Sequence, residues 1–256
     1  MRLILTGATG VAGSEVLRQA LLDPRIEAVT VLTRRPLPSH VAPTPLPPKL
    51  RVVEHSDFSS YPPSVLSDLK GHGACIWALG MSSVGVAEKD YEVVTYDYAI
   101  AAAKAFSGLR TDGEKFVFAF LSGMGADQRE GKAAQMFGRV KGKTELALAR
   151  LPAASPDYSS LTAYSFRPGG ILPPKPIPDG SFRYRNPLFL RTMHGIGWLT
   201  PSYVISTVDL AKGMIEVALK GGKGEVAGWP GKGAEGNAGT FDNEEIKRVA
   251  KGEAAK

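Results

Sequence analysis

The sequence calls for an α/β fold built on a doubly wound parallel sheet. Three observations support this: short β-rich apolar runs alternate with segments of helical period, the first run opens directly into a glycine-rich turn, and the overall balance of residues is that of an ordinary globular chain. The runs are Leu3 to Leu5, Ala28 to Thr33, Leu50 to Glu54, Ala74 to Leu79, Phe116 to Leu121 and Ser165 to Phe166. Between them, Ser14 to Leu22, Ala87 to Phe106 and Phe137 to Arg150 read as crossover helices. In the second helix the stripe Tyr91, Val94, Tyr98 and Ala101 is expected to face the core.

A chain of 256 residues, 43% hydrophobic and 22% charged, is long enough for one large domain and too apolar to stay disordered. Thirty-one Lys and Arg against 25 Asp and Glu leave a net charge of +6, which suits an anionic ligand or a weak attraction to acidic surfaces. The basic residues are scattered, and neither zinc-finger spacing nor a single-strand-binding aromatic signature accompanies them, so no nucleic-acid site is expected. Cys75 is the single cysteine and sits in the apolar run Ala74 to Leu79, where it reads as a small buried hydrophobe rather than a nucleophile. His40, His55, His72 and His194 show no paired spacing with Cys, Asp or Glu, and no metal is expected. Gly-x-Ser-x-Gly is absent, which removes the basis for a serine hydrolase.

A strand beginning at Arg2 leaves no room for a secretory signal, and no apolar stretch approaches the roughly 20 residues a membrane-spanning helix needs. The expectation is a mature chain starting at Met1, soluble and intracellular, with peripheral membrane association left open.

Proline and glycine mark the irregular parts. Pro36 to Pro48 holds six prolines and is expected to be a flexible surface loop inserted after the second strand. A second proline-rich stretch, Pro168 to Pro178, leads into the apolar and aromatic segment Phe182 to Tyr203, which is assigned to a substrate-side cap around 172–205. Gly221 to Gly239 reads as a loose connection, after which Asp242-Asn243-Glu244-Glu245 supplies an N-cap and acidic first turn for a short last helix. The expected organisation is therefore a nucleotide-binding domain over 1–220 that includes the cap, followed by the connection and helix over 221–256.

The strongest local signal is Leu3-Ile4-Leu5-Thr6-Gly7-Ala8-Thr9-Gly10-Val11-Ala12-Gly13, a strand, a tight turn and the start of an apolar helix. Gly7 permits the turn, Gly10, flanked by Thr9 and Val11, lets backbone approach a pyrophosphate, and Gly13 lets the helix pack closely on the strand. This is a Rossmann-type arrangement, with the phosphates on the helix N-terminus. At the end of the next strand, where a protein specific for NAD carries an acid for the ribose 2′-hydroxyl, Arg34 and Arg35 stand instead. A guanidinium grips a 2′-phosphate in a forked pair, so the expected cofactor is NADP(H). Asp57 and Phe58 after the third strand are assigned to the adenine, and Leu79 and Gly80 after the fourth to the ribose and nicotinamide approach. A turn residue or a core plug is the alternative reading of each pair.

Taken with Leu121-Ser122-Gly123-Met124-Gly125-Ala126-Asp127, Val140-Lys141-Gly142 and Phe166-Arg167-Pro168-Gly169, these elements resemble the atypical short-chain dehydrogenases/reductases. Within them the chain is similar to the Tat-interacting-protein-like oxidoreductases, a group that includes fungal relatives associated with the mitochondrial outer membrane. The resemblance covers about residues 1 to 220. It implies an NADPH-binding Rossmann fold with a small C-terminal cap, located in the cytoplasm or at the mitochondrial outer membrane surface. The catalytic pattern of that superfamily is Tyr-x-x-x-Lys after a strand-end Ser: lysine lowers the tyrosine pKa and holds the nicotinamide ribose, tyrosine transfers the proton, and serine steadies the carbonyl oxygen.

Lys141 matches the lysine and Ser122 is the candidate serine, one or two positions before the usual place, which Gly123 or Met124 would then fill. Phe137 stands where the tyrosine belongs and carries no hydroxyl. Two functional readings follow. One is an NADPH-dependent oxidoreductase acting on a small or lipophilic carbonyl, and the other is a catalytically weak NADPH-binding regulator of a protein partner.

Overall fold

The computed structural model describes residues 1–129, 133–172, 200–226 and 239–253. Seven parallel strands form one sheet: β1 (Arg2–Thr6), β2 (Ala28–Thr33), β3 (Leu50–Glu54), β4 (Ala74–Trp77), β5 (Phe116–Leu121), β6 (Leu161–Phe166) and, near the end of the chain, β9 (Gly239–Phe241). Their order is β3-β2-β1-β4-β5-β6-β9, so the direction of winding reverses between β1 and β4 and opens a crevice at the carboxyl ends of those two strands. A two-stranded parallel ribbon, β7 (Gly170–Leu172) and β8 (Val204–Ser206), stands beside the main sheet.

The period-two alternation of the strands sorts the core into two halves. Leu3 and Leu5 of β1 and Val117 and Ala119 of β5 pack under α1 (Val11–Leu22) and α6 (Thr207–Gly221), with Val16, Leu17, Leu210 and Met214 opposite them. Ile4, together with Phe116, Phe118 and Phe120, faces the other way, against α2 (Pro63–Leu69), α4 (Tyr98–Phe106) and α5 (Met136–Ala154), which contribute Leu69, Ala102, Phe106 and Leu148. Both faces of every central strand are covered, which is why these strands are apolar almost throughout. Cys75 sits at full burial beside Ile4, its thiol pushed upward by desolvation, as a small core residue.

Several elements depart from the sequence reading. The expected strand Ala74 to Leu79 stops at Trp77, because Gly7 passes so close that the chain turns away at Ala78. The long helix from Ala87 is α3 (Glu88–Glu92), a π turn (Val93–Asp97) and α4 in succession, and the wider turn moves the buried stripe to Tyr91, Thr95, Ala99, Ala102 and Phe106, leaving Val94, Tyr98 and Ala101 only half-buried. The proline-rich loop is pinned rather than loose: Ala42 is buried in the core, Leu37 and Val41 pack against it, and the Val41 and Ala42 amides donate to Pro38 O. Helix α6 was not read from the sequence; its buried face includes Leu210, Ala211, Gly213, Met214 and Val217, with Lys212 exposed.

Beyond residue 220, Gly239–Phe241 join the main sheet as β9. Residues 227–238 of the expected connection lie outside the described residues, but β9 pairs in register with β6, Tyr164 opposite Gly239 and Phe166 opposite Phe241. Most of the expected cap, 173–199, also lies outside them. Helix α7 (Asn243–Ala250) begins where its start signal stands: the Asp242 carboxylate accepts from the amides of Glu244 and Glu245, and the Glu245 side chain accepts from the Asp242 amide. We expect Asp242→Ala to lower stability by about 1 kcal/mol in chemical denaturation, with the midpoint moving and the slope unchanged.

Candidate cofactor cleft and active site

The crevice at the β1–β4 switch point is built by close backbone approach. Gly7 has φ of +70°, and a Cβ there would lie 2.3 Å from Ala78 O; a Cβ on Gly13 would lie 2.1 Å from Gly7 O. No other residue fits at either position, so helix α1 is locked against the ends of β1 and β4. Gly10 differs. Its backbone is extended, at φ −81° and ψ 163°, and a Cβ there would meet nothing nearer than 3.3 Å. The fold demands glycine at 10 less strictly than at 7 or 13, since only the Gly7 carbonyl would have to give by a few tenths of an ångström. Gly10 is also the N-cap of α1 and has no side chain to cap it, so the first amides of the helix, from Val11 onward, are left for an outside acceptor.

Gly7, Thr9, Arg34, Arg35, Phe58 and Leu79 line a single cavity of about 380 Å³ beside this turn. The structure thus brings together six of the residues expected to hold the cofactor. Arg34 and Arg35 are exposed, and among the described residues neither guanidinium is held in an ion pair. The Thr33 hydroxyl donates to Arg35 O at 2.9 Å and fixes the backbone at the strand exit.

Phe58 is only 1% exposed and forms the cavity floor, its ring edge-on to Trp77 and His55. Asp57 is a turn residue. Its carboxylate accepts from the Ser59 amide at 3.0 Å and from the hydroxyls of Ser59 and Ser60, which hold it below the usual carboxylate range. Asp57, Gly80, Gly10, Val11, Gly13 and Lys141 stand outside the cavity wall. The wall, the open Gly10 and the unpaired arginines fit the adenosine half and pyrophosphate of a phosphorylated dinucleotide.

Two strands along, the ends of β5 and β6 carry the catalytic candidates. Helix α5 reaches them through a second pair of glycines: a Cβ on Gly138 would lie 2.4 Å from Gly125 O, and one on Gly142 1.8 Å from Asp127 O. The glycine after Lys141 is therefore a packing requirement that presses the helix onto the loop after β5. Lys141 is half-buried, and its Nζ donates to Ser122 O at 2.7 Å and Leu121 O at 3.4 Å. Desolvation pushes its ammonium down to about 8, while the Glu145 carboxylate pulls the other way.

Ser122 follows the last residue of β5. Its side chain is buried and its Oγ donates to Glu145, which points the hydroxyl into the protein. The two following positions, Gly123 and Met124, carry no hydroxyl. Phe137 lies one turn before Lys141, with its Cζ 3.5 Å from the position of a Cβ on Gly125.

Two functional-looking residues escaped the sequence reading. Glu145 is buried and accepts from Arg167 Nε at 3.0 and 3.1 Å, from Arg167 Nη2, and from Gln128 Nε2 at 3.1 Å, besides Ser122. Asn243 is also buried; its Oδ1 accepts from the Gly169 amide at 2.9 Å and its Nδ2 donates to Ser202 O at 2.8 Å. The Glu145 position four residues after Lys141 was visible as an acid on an apolar helix face; Asn243 had no signal beyond its place in the first turn of α7.

Comparison with known proteins agrees with this geometry. No profile of a known protein family matches the chain. It is 34% identical over 122 residues to the leucinostatins biosynthesis cluster protein T of Purpureocillium lilacinum, covering 48% of this chain and 42% of that protein, so the chain spans less than half the length of that relative. It is 26% identical over 235 residues to the mitochondrial protein FMP52 of Candida albicans, covering 88% of this chain and 91% of the relative. Among solved structures, a short chain dehydrogenase/reductase from Saccharomyces cerevisiae superposes with a TM-score of 0.66 at 13% identity, over 97% of this chain and 98% of that one. The UDP-glucuronic acid 4-epimerase of Bacillus cereus, solved in complex with NAD, superposes with a TM-score of 0.57 at 13% identity, over 85% of this chain and 72% of the other.

Because a Cβ at Gly10 would meet only the Gly7 carbonyl, at 3.3 Å, Gly10→Val is expected to leave the protein folded with a modestly lowered thermal midpoint and to abolish dinucleotide binding by fluorescence titration. Normal binding by a folded Gly10→Val protein would make the turn a purely structural feature. With its sheet order, glycine turn and strand-end cleft, the chain has a Rossmann fold of the kind seen in short-chain dehydrogenases/reductases.

Proposed function

We propose that this chain is an NADPH-dependent oxidoreductase that reduces a small or lipophilic carbonyl compound. The observation that carries the reading is the convergence of an open glycine turn and two unpaired arginines on one cavity, with a half-buried lysine at the neighbouring strand ends. Arg34 and Arg35 bind the 2′-phosphate, the α1 amides bind the pyrophosphate, Asp57 and Phe58 border the adenine, and Leu79 and Gly80 border the ribose and nicotinamide. When bound, NADPH supplies hydride. Lys141 holds the nicotinamide ribose, its ammonium fixed by the carbonyls of Leu121 and Ser122. The similarity to FMP52, a mitochondrial protein, supports a mitochondrial location, which we place at the outer membrane surface or in the adjoining cytoplasm, and among the described residues no helix is long and apolar enough to cross a membrane.

NADPH should bind more tightly than NADH, because each arginine contact to the 2′-phosphate adds roughly 1.5–3 kcal/mol. In calorimetry, Arg34→Ala/Arg35→Ala should erase that preference while leaving NADH affinity nearly unchanged. Equal affinities in wild type would remove the arginines from the site.

A second reading, a weakly active or inactive NADPH-binding regulator of a protein partner, is favoured by one observation: Phe137 has no hydroxyl and the Ser122 hydroxyl is occupied by Glu145. Phe137→Tyr separates the two. General acid catalysis contributes about 10²–10⁴-fold, so a phenol one turn before Lys141 should raise NADPH consumption with a panel of aldehydes, ketones and quinones if the wild-type rate is low. A large gain supports the regulator. A fast wild type, unaltered by the substitution, supports the enzyme and assigns the proton to another group.

A further inference from the structure

The polar cluster beneath the ends of β5 and β6 has no place in the serine, tyrosine and lysine pattern, and its geometry gives it one. Glu145 lies four residues after Lys141 on α5, so the two side chains leave the same face of the helix. Its carboxylate is gripped by the Arg167 fork from the end of β6 and by Gln128 from the loop after β5, and it receives the hydroxyl of Ser122. The carbonyl of that same Ser122 is the nearer of the two that hold the Lys141 ammonium, at 2.7 Å. One chain of contacts therefore runs from Arg167 through Glu145 and Ser122 to Lys141, tying together β5, β6 and α5.

We propose that Glu145 is the positioning residue of this site: anchored by Arg167, it locks Ser122 so that the Ser122 carbonyl fixes the Lys141 ammonium toward the nicotinamide ribose. The inference rests on the reading that Lys141 meets the cofactor. It assigns Ser122 the role of a link in place of an oxygen-steadying donor, and it accounts for burying an acid and an arginine together where an apolar pair would cost less desolvation. Two of the three ammonium N–H groups are spent on the Leu121 and Ser122 carbonyls, so the direction of the third follows from where those carbonyls are held.

A double-mutant cycle on NADPH affinity, read by fluorescence titration of the full chain, tests the link without requiring turnover. Lys141→Met should weaken NADPH binding about tenfold. Glu145→Gln and Ser122→Ala should each weaken it about three- to tenfold in the wild-type background and less than twofold in the Lys141→Met background, because a residue acting through Lys141 costs nothing once Lys141 is gone. Glu145→Gln leaves Arg167 without its counter-charge and can unfold the chain; circular dichroism reports this, and Ser122→Ala, which keeps the ion pair, then decides alone. Additive losses, or an unchanged affinity in folded Ser122→Ala, would overturn the positioning role while leaving Lys141 at the cofactor. Full affinity in Lys141→Met would instead overturn the reading on which the inference rests.

Discussion

Everything at the working end of this molecule depends on contact between backbones that no side chain separates. Gly7 and Gly13 bring α1 against the ends of β1 and β4, and Gly138 and Gly142 bring α5 against the loop after β5. The two pairs are spaced differently and serve different helices, but the physical result is the same: a helix is seated closer to the strand ends than alanine would permit. At α1 the reward is a helix N-terminus at the crevice. At α5 it is a lysine whose nitrogen reaches strand-end carbonyls across a distance of one hydrogen bond.

The polar cluster behind Lys141 follows from that second close approach. Once α5 is seated, Glu145 has no route to solvent, and a buried carboxylate is tolerable only with a full set of donors. Arg167, Gln128 and Ser122 supply them from three different segments. Charge satisfaction and cleft geometry are thus one arrangement seen from two sides, and a change to either disturbs the other.

The sheet and the glycine turn were legible in the sequence because each is a local pattern: apolar runs of strand length, and glycines at a spacing that a tight turn imposes. Six main strands and the Asp242 cap follow directly from such patterns. What the pattern could not convey was anything decided across the chain. Three residues, Gly239 to Phe241, are too short to announce a strand and become one only by pairing with β6. The π turn in the third crossover displaced the buried stripe, since a helical period assumes an unbroken helix. Ser122 was placed by its position at a strand end, but where its hydroxyl points is set by Glu145, twenty-three residues away.

The contacts of Asn243 carry a consequence for how the molecule comes into being. Its amide bridges the Gly169 nitrogen and the Ser202 carbonyl, across 74 and 41 residues of chain, and β9 just before it closes the sheet beside β6. A ribosome that has delivered β1 through β6 has made the whole glycine turn but not the bracket that steadies the loop after β6. The nascent chain thus has its glycine turn early and the Asn243 bracket late, and a protein interrupted before residue 239 would carry the former without the latter.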